Sequence, residues 1–159
     1  MNNKDKSEIV NILKNLVAIN SAYPPGNSTK LNNYIFHYLK SAKLNVSLKG
    51  PHQNKLSLIA KNFKGNKKSI VFNSHIDTVQ PNNKDWFTDP FKLVKKGNYL
   101  YGLGSVNCKG SAAVQIYFAK QLKTIFPKLK EKISFTFVTD EENLGPDGSF
   151  YLRKKKINF

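Results

Sequence analysis

Apolar positions along the chain alternate between two periods. In "KSEIVNILKNLVAIN", Ile9, Val10, Ile12, Leu13, Leu16 and Val17 recur every three to four residues, which predicts an amphipathic helix. The stripe stops at "SAYPPGNS", where two prolines and a glycine forbid continuation. A second helix fits "STKLNNYIFHYLKSAK", with Ser28 as N-cap and Leu31, Tyr34, Ile35, Tyr38 and Leu39 on its apolar face. The period then shortens to that of strands in "LNVSLKG", "KLSLIAKNF" and "SIVFNSHID", and "GNKK" between the last two predicts a hairpin turn. After the polar loop "TVQPNNKDWFTDP", "FKLVKKGNYLYG" predicts a hairpin turning at Lys96 to Asn98. A third helix is expected from about Lys109 to Phe126, a fourth strand in "KISFTFVTDEE", and a last helix in "GPDGSFYLRKKK". Helices interspersed with strands predict an α/β fold, a mixed sheet with helices packed on it. Without repeats or a low-complexity linker, residues 1–159 read as one domain.

Composition narrows the classes. With 40% hydrophobic residues the chain can bury a real core, and no apolar run reaches membrane-spanning length. The N-terminus mixes charge with apolar residues and lacks a signal-peptide core, and Cys108 has no internal partner, so a cytoplasmic location is expected. Net charge of +16 invites a nucleic-acid reading, but among 26 basic residues Arg153 is the one arginine. Arginine's planar fork is what reads phosphates and bases, so no nucleic-acid partner is expected and the scattered lysines read as solvated.

Chemistry gathers at two strand ends. Residues two apart in a strand face the same way, so His75 and Asp77 project together where "SIVFNSHID" leaves the sheet. An imidazole is a common metal ligand and a nearby carboxylate commonly orients it, while the plainer reading is a hydrogen-bonded histidine at a polar strand end. "ISFTFVTDEE" runs an apolar strand into Asp140, Glu141 and Glu142, carboxylates that repel unless positive charge lies among them. A metal site and a solvated acidic turn both answer that description. With Asp77, however, these are four of only ten acids, all at the ends of apolar strands. Between them, "YGLGSVNCKGSAA" offers tight backbone at Gly102, Gly104 and Gly110, and Ser111, Ala112 and Ala113 let a helix approach the sheet. Its spacing matches neither a P-loop nor a dinucleotide fingerprint.

The ordered motifs "YPPGNSTKLNNYIFHYLKSAKLNV", "SHIDTVQP", "DWFTDPF", "LYGLGSVNCKGSAA" and "TDEENLGPDGSFYL" resemble the N-terminal part of the M20 family of metal-dependent hydrolases. That family includes acetylornithine deacetylases, succinyl-diaminopimelate desuccinylases, aminoacylases and dipeptidases. The resemblance implies a zinc-exopeptidase-like catalytic domain that hydrolyses the amide bond of an N-acyl amino acid or small peptide with two divalent ions, zinc first and cobalt or manganese as alternatives. It implies that His75 ligates one metal and Asp77 orients it, that Glu142 ligates the other, and that Glu141 is the general base. It gives Asp140 a structural part and "DWFTDPF" the rim of the cleft. Two departures stand out. The family's bridging aspartate is here Asn107, a neutral amide compatible with a one-metal or weakened site and equally with a chain that has lost catalysis. Cys108 beside it is either a soft ligand or a buried thiol. After Glu142 there is no histidine and one further acid, Asp147, so the family's remaining ligands and its lid or dimerisation domain are expected outside residues 1–159. Alone, these residues are expected to be inactive, and a homodimer is open only to a complete chain. The rival is a non-catalytic relative or small-molecule binder on the same fold, with a basic nucleic-acid-binding module as a third and weaker alternative.

Overall fold

The computed structural model describes residues 2–65 and 67–157. Its elements are α1 (Asn3–Ala18), β1 (Ala22–Tyr23), α2 (Thr29–Ser41), β2 (Asn45–Lys49), β3 (Ser57–Lys61), β4 (Ile70–His75), β5 (Thr78–Val79), β6 (Val94–Lys96), β7 (Tyr99–Tyr101), α3 (Lys109–Ile125), β8 (Ile133–Val138) and α4 (Ser149–Lys154). Helix α1 starts ahead of the apolar stripe because Asn2 and Asp5 form a reciprocal capping box, Asp5 N–H donating to Asn2 Oδ1 at 2.9 Å and Asn2 N–H to Asp5 Oδ2 at 3.0 Å. Ser28 stands at the N-cap of α2 as expected, but its hydroxyl serves elsewhere, donating toward the carbonyls of Leu56 and Asn54 at 3.2 and 3.3 Å. The free Thr29 N–H is met by Asn27 Oδ1 at 3.0 Å instead.

The main sheet runs β2-β3-β8-β4, with β3 antiparallel to both β2 and β8, and β4 parallel to β8. This corrects the expected hairpin between β3 and β4: their connection passes β8, which takes the central place between them, and Asn66 of "GNKK" lies outside the described residues. The physical reason lies in β8 itself. All six of its residues are buried, whereas Ile70, Val71 and Phe72 of β4 keep 55, 40 and 36% of their surface and tolerate the edge. The β6–β7 hairpin forms as expected, with Val94 opposite Tyr101, and Phe87 of "DWFTDPF" stacks edge-on against Tyr101 at 4.9 Å.

Period-two alternation sorts the two faces of the sheet. Leu58 and Ala60 of β3 and Ile133, Phe135 and Phe137 of β8 join Ile12, Leu16, Leu31, Ile35, Leu39, Ala112 and Ile116 in the main core under the helices. Fully burying a ring such as Phe135 contributes about 1.5–3 kcal/mol. Ile59 and Val138 point the other way, where Leu152 of α4 covers them.

Glu8 ties the three long helices together. Its Oε1 accepts from Tyr38 Oη of α2 at 2.5 Å and from Lys120 Nζ of α3 at 2.6 Å. The Lys120 contact first and the Tyr38 hydroxyl second hold its carboxyl below the ordinary value of 4.5. The stabilisation is therefore complete above the ordinary glutamate range and is lost as pH falls through the lower folded value. Urea unfolding of Glu8→Gln is expected to show a loss of about 1–2 kcal/mol at neutral pH. The gap to wild type should close in acid, and an equal gap at both pH values would refute the assignment.

Candidate metal centre

Parallel pairing sets His75 of β4 opposite Val138 of β8, so both strands end at the same edge of the sheet and "HID" emerges beside "TDEE". Carboxyl ends of strands are where open α/β sheets hold ligands. The loop before α3 reaches the same edge. Its turn depends on Gly104, whose φ is +77° and whose missing Cβ would lie 2.7 Å from Thr78 Cγ2.

His75 is nearly buried, and both its ring nitrogens are engaged. Nδ1 lies 3.0 Å from the Asp77 carbonyl oxygen and 3.5 Å from Asp77 Oδ1, and Nε2 lies 3.1 Å from Asn107 Oδ1 and 3.6 Å from Glu141 Oε2. Burial alone would depress the imidazole pKa, but the contacts with Asp77 and Asn107 outweigh it and lift the value to about 9. The closest brace on the ring is thus the main chain of Asp77, its carboxylate standing slightly farther off.

Asp77 is fully buried and spans the two strand ends. Its Oδ2 accepts the Glu142 N–H at 3.0 Å, while Oδ1 faces His75 Nδ1 at 3.5 Å. That second tie, from the first strand to the backbone of the acidic turn, leaves no signature in the sequence.

The acidic turn is shaped by local backbone. Asp140 and Leu144 both adopt left-handed conformations, φ 65° and 63°, and Gly145 N–H closes the loop onto the Asp140 carbonyl at 2.7 Å. Only glycine fits at 148, where a Cβ would lie 1.9 Å from the Thr139 carbonyl oxygen. The turn leaves the Glu141 side chain about half exposed and Glu142 partly covered. Burial pushes the Glu142 carboxyl above its ordinary value; His75 opposes this, and the charges of Glu141 and Asp77 add to it.

The structure therefore brings together His75, Asp77, Asn107, Glu141 and Glu142. Ligand atoms of His75, Glu141 and Glu142 lie within 4.8 Å of one another. With the Asn107 oxygen against the imidazole and the Asp77 carboxylate behind it, the donors suit one divalent cation. They do not by themselves suit a bridged pair, because Asn107 offers one oxygen and no charge. Asp140 points away, toward Lys55.

Two lysines escaped the sequence reading. Lys109 is fully buried at the start of α3, donates from Nζ to the Ile19 carbonyl at 2.8 Å, and is held down at about 8 by burial, with the charge of Asp77 opposing. Lys55 pairs with Asp140. In so lysine-rich a chain neither position carries a local signal.

An imidazole, an amide and two carboxylates gather at the edge of an α/β sheet where the parallel strands β4 and β8 end. The chain belongs to the peptidase family M20/M25/M40, whose model matches residues 71–158, from β4 through α4. It is 38% identical over 99 residues to a succinyl-diaminopimelate desuccinylase of Buchnera aphidicola subsp. Acyrthosiphon pisum, covering 59% of this chain and 26% of that protein. It is 34% identical over 116 residues to an acetylornithine deacetylase of Buchnera aphidicola subsp. Schizaphis graminum, covering 72% of this chain and 29% of the relative. The chain thus spans about a quarter of the length of these relatives. Among solved structures, human carnosine dipeptidase 1 shares the fold with a TM-score of 0.77 at 24% identity, over 96% of this chain and 35% of its own. The Bacillus subtilis YXEP protein, a dinuclear metal-binding peptidase of the M20 family, does so with a TM-score of 0.65 at 19% identity, over 99% of this chain and 41% of its own. Among the described residues no helix is long and apolar enough to cross a membrane.

Proposed function

We propose that residues 1–159 form the N-terminal, metal-binding portion of a catalytic domain that hydrolyses the amide bond of an N-acyl amino acid or small peptide. The carrying observation is the convergence of His75, Asn107, Glu141 and Glu142, backed by Asp77, at the ends of β4 and β8. The names of the relatives, a desuccinylase and a deacetylase, support the substrate class. His75 Nε2, Asn107 Oδ1 and Glu142 would hold an ion, zinc by preference, with cobalt or manganese suited to the same donors. A second ion, and turnover itself, draw on donors, a lid or dimerisation domain and a C-terminal segment beyond these residues. A cytoplasmic setting belongs to the same reading, and the single Cys108 agrees with a reducing compartment.

A bound divalent ion supplies Lewis-acid polarisation of the scissile carbonyl and acidifies a coordinated water. Glu141, reaching from the turn into open space beside His75, takes the water proton and later returns it to the leaving amine. Asp77 fixes the ring on one side and the Glu142 backbone on the other, so the two strand ends keep their spacing.

The test is a chimera in which residues 1–159 replace the matching N-terminal portion of the Buchnera succinyl-diaminopimelate desuccinylase, assayed on N-succinyl and N-acetyl amino acids and dipeptides. Hydrolysis above background supports the reading; a folded chimera that turns over nothing contradicts it. Asn107 favours a second reading, a non-catalytic binder, because a neutral amide weakens a cation site. In the chimera, Asn107→Asp is expected to tighten zinc binding on the order of tenfold or more, as added ligand charge does at other cation sites. Calorimetry checks this, and a rise in affinity with no rate in either version selects the binder.

A further inference from the structure

The turn that carries Glu141 and Glu142 is braced from behind as well as in front. In front, Asp77 takes the Glu142 N–H. Behind, Asp140 turns its fully buried carboxylate away from the candidate ligands. Lys55, in the loop between β2 and β3, meets it there: Nζ lies 2.9 Å from Asp140 Oδ1 and 3.4 Å from Asp147 Oδ2. The other Asp140 oxygen accepts the Asp147 N–H at 3.1 Å, and the Asp140 carbonyl accepts the Gly145 N–H. One aspartate thus gathers both ends of the 140–147 loop and a lysine distant in sequence.

This arrangement has a physical purpose. Asp140 starts the turn at φ 65°, a left-handed conformation that aspartate adopts when local hydrogen bonds support it, and adjacent glutamates repel. A buried carboxylate that lost its partner cation would be strongly unfavourable, so the pair commits the turn to one conformation. Lys55 itself is fixed, 16% exposed and over the Tyr23 ring at 5.4 Å.

We propose that Lys55 is a positioning residue, which, through buried Asp140, fixes the left-handed start of the acidic turn and so holds Glu141 and Glu142 against His75. The part that concerns ion binding rests on the reading of these glutamates as ligand and base; the bracing of the backbone does not.

The experiment compares wild type, Lys55→Met and Lys55→Arg in the full 159-residue chain, first without added metal and then titrated with manganese by electron paramagnetic resonance. In Lys55→Met the amides of Glu142, Leu144 and Gly145 are expected to exchange with solvent about tenfold faster or more, while those of Phe135 and Phe137 in β8 keep their wild-type rates. Lys55→Arg is expected to restore the protection. Manganese affinity should fall about 10- to 100-fold in Lys55→Met, the usual effect of losing an outer partner of a metal site. If the amides loosen but wild type takes up no manganese, the bracing stands and the ligand reading fails. Unchanged exchange at 142–145, or equal acceleration throughout β8, overturns the proposal. Should Lys55→Met fail to fold, Lys55→Gln is read by the same criteria.

Discussion

Glu141→Gln in the chimeric hydrolase is expected to lower the hydrolysis rate about 10²- to 10⁴-fold, the range associated with loss of a general acid–base group. The substitution keeps shape and hydrogen-bonding reach and removes the basic oxygen. Glu141 is the more exposed of the two glutamates, and its Oε2 stands 3.6 Å from His75 Nε2, near enough to serve a water on an ion that Nε2 would hold. The loss should fall on kcat, with KM and ion affinity nearly unchanged. A drop in ion affinity as large as the drop in rate would make Glu141 a ligand and leave the base unassigned.

His75→Ala should cost ion affinity more than the roughly 10- to 100-fold typical of an outer partner, because it removes the only nitrogen donor of the cluster. Among the described residues the other histidines lie elsewhere, His37 in α2 and His52 beside Asp147 on the surface. The ring ends a strand whose apolar residues are unaltered, and Asp77 keeps the Glu142 N–H, so the fold should persist by circular dichroism. Calorimetric titration with zinc checks the effect; wild-type affinity in the variant would place the ion elsewhere.

Much of this was legible in the sequence because burial and period agree there. The stripe of α1, the Lys109 start of α3 and the strand before "TDEE" all follow from spacing, and the strand ends named His75, Asp77, Glu141 and Glu142 before any geometry was known. What failed was long-range order. The β3–β4 hairpin looked sound because its turn chemistry was right, yet β8, distant in sequence, was buried on both faces and took the central place. No local pattern encodes such a crossover. The same holds for Lys55: a lysine in a loop reads as solvated, and only the fold shows that Asp140 waits for it. Asp77 carries more than its spacing foretells: its carbonyl makes the closest contact with the ring, its Oδ1 stands 3.5 Å from Nδ1, and its Oδ2 holds the other strand's turn.

We propose that the ends of β4 and β8 hold a divalent cation. Crystals of the 159-residue chain grown with zinc, measured at the zinc absorption edge, test it most directly. The expected result is an anomalous peak at about 2.0–2.2 Å from His75 Nε2 and a Glu142 oxygen, with the Asn107 oxygen turned toward it. A zinc-saturated crystal with no peak there, or with its peak only at the Asp140–Asp147 carboxylates, would contradict the account.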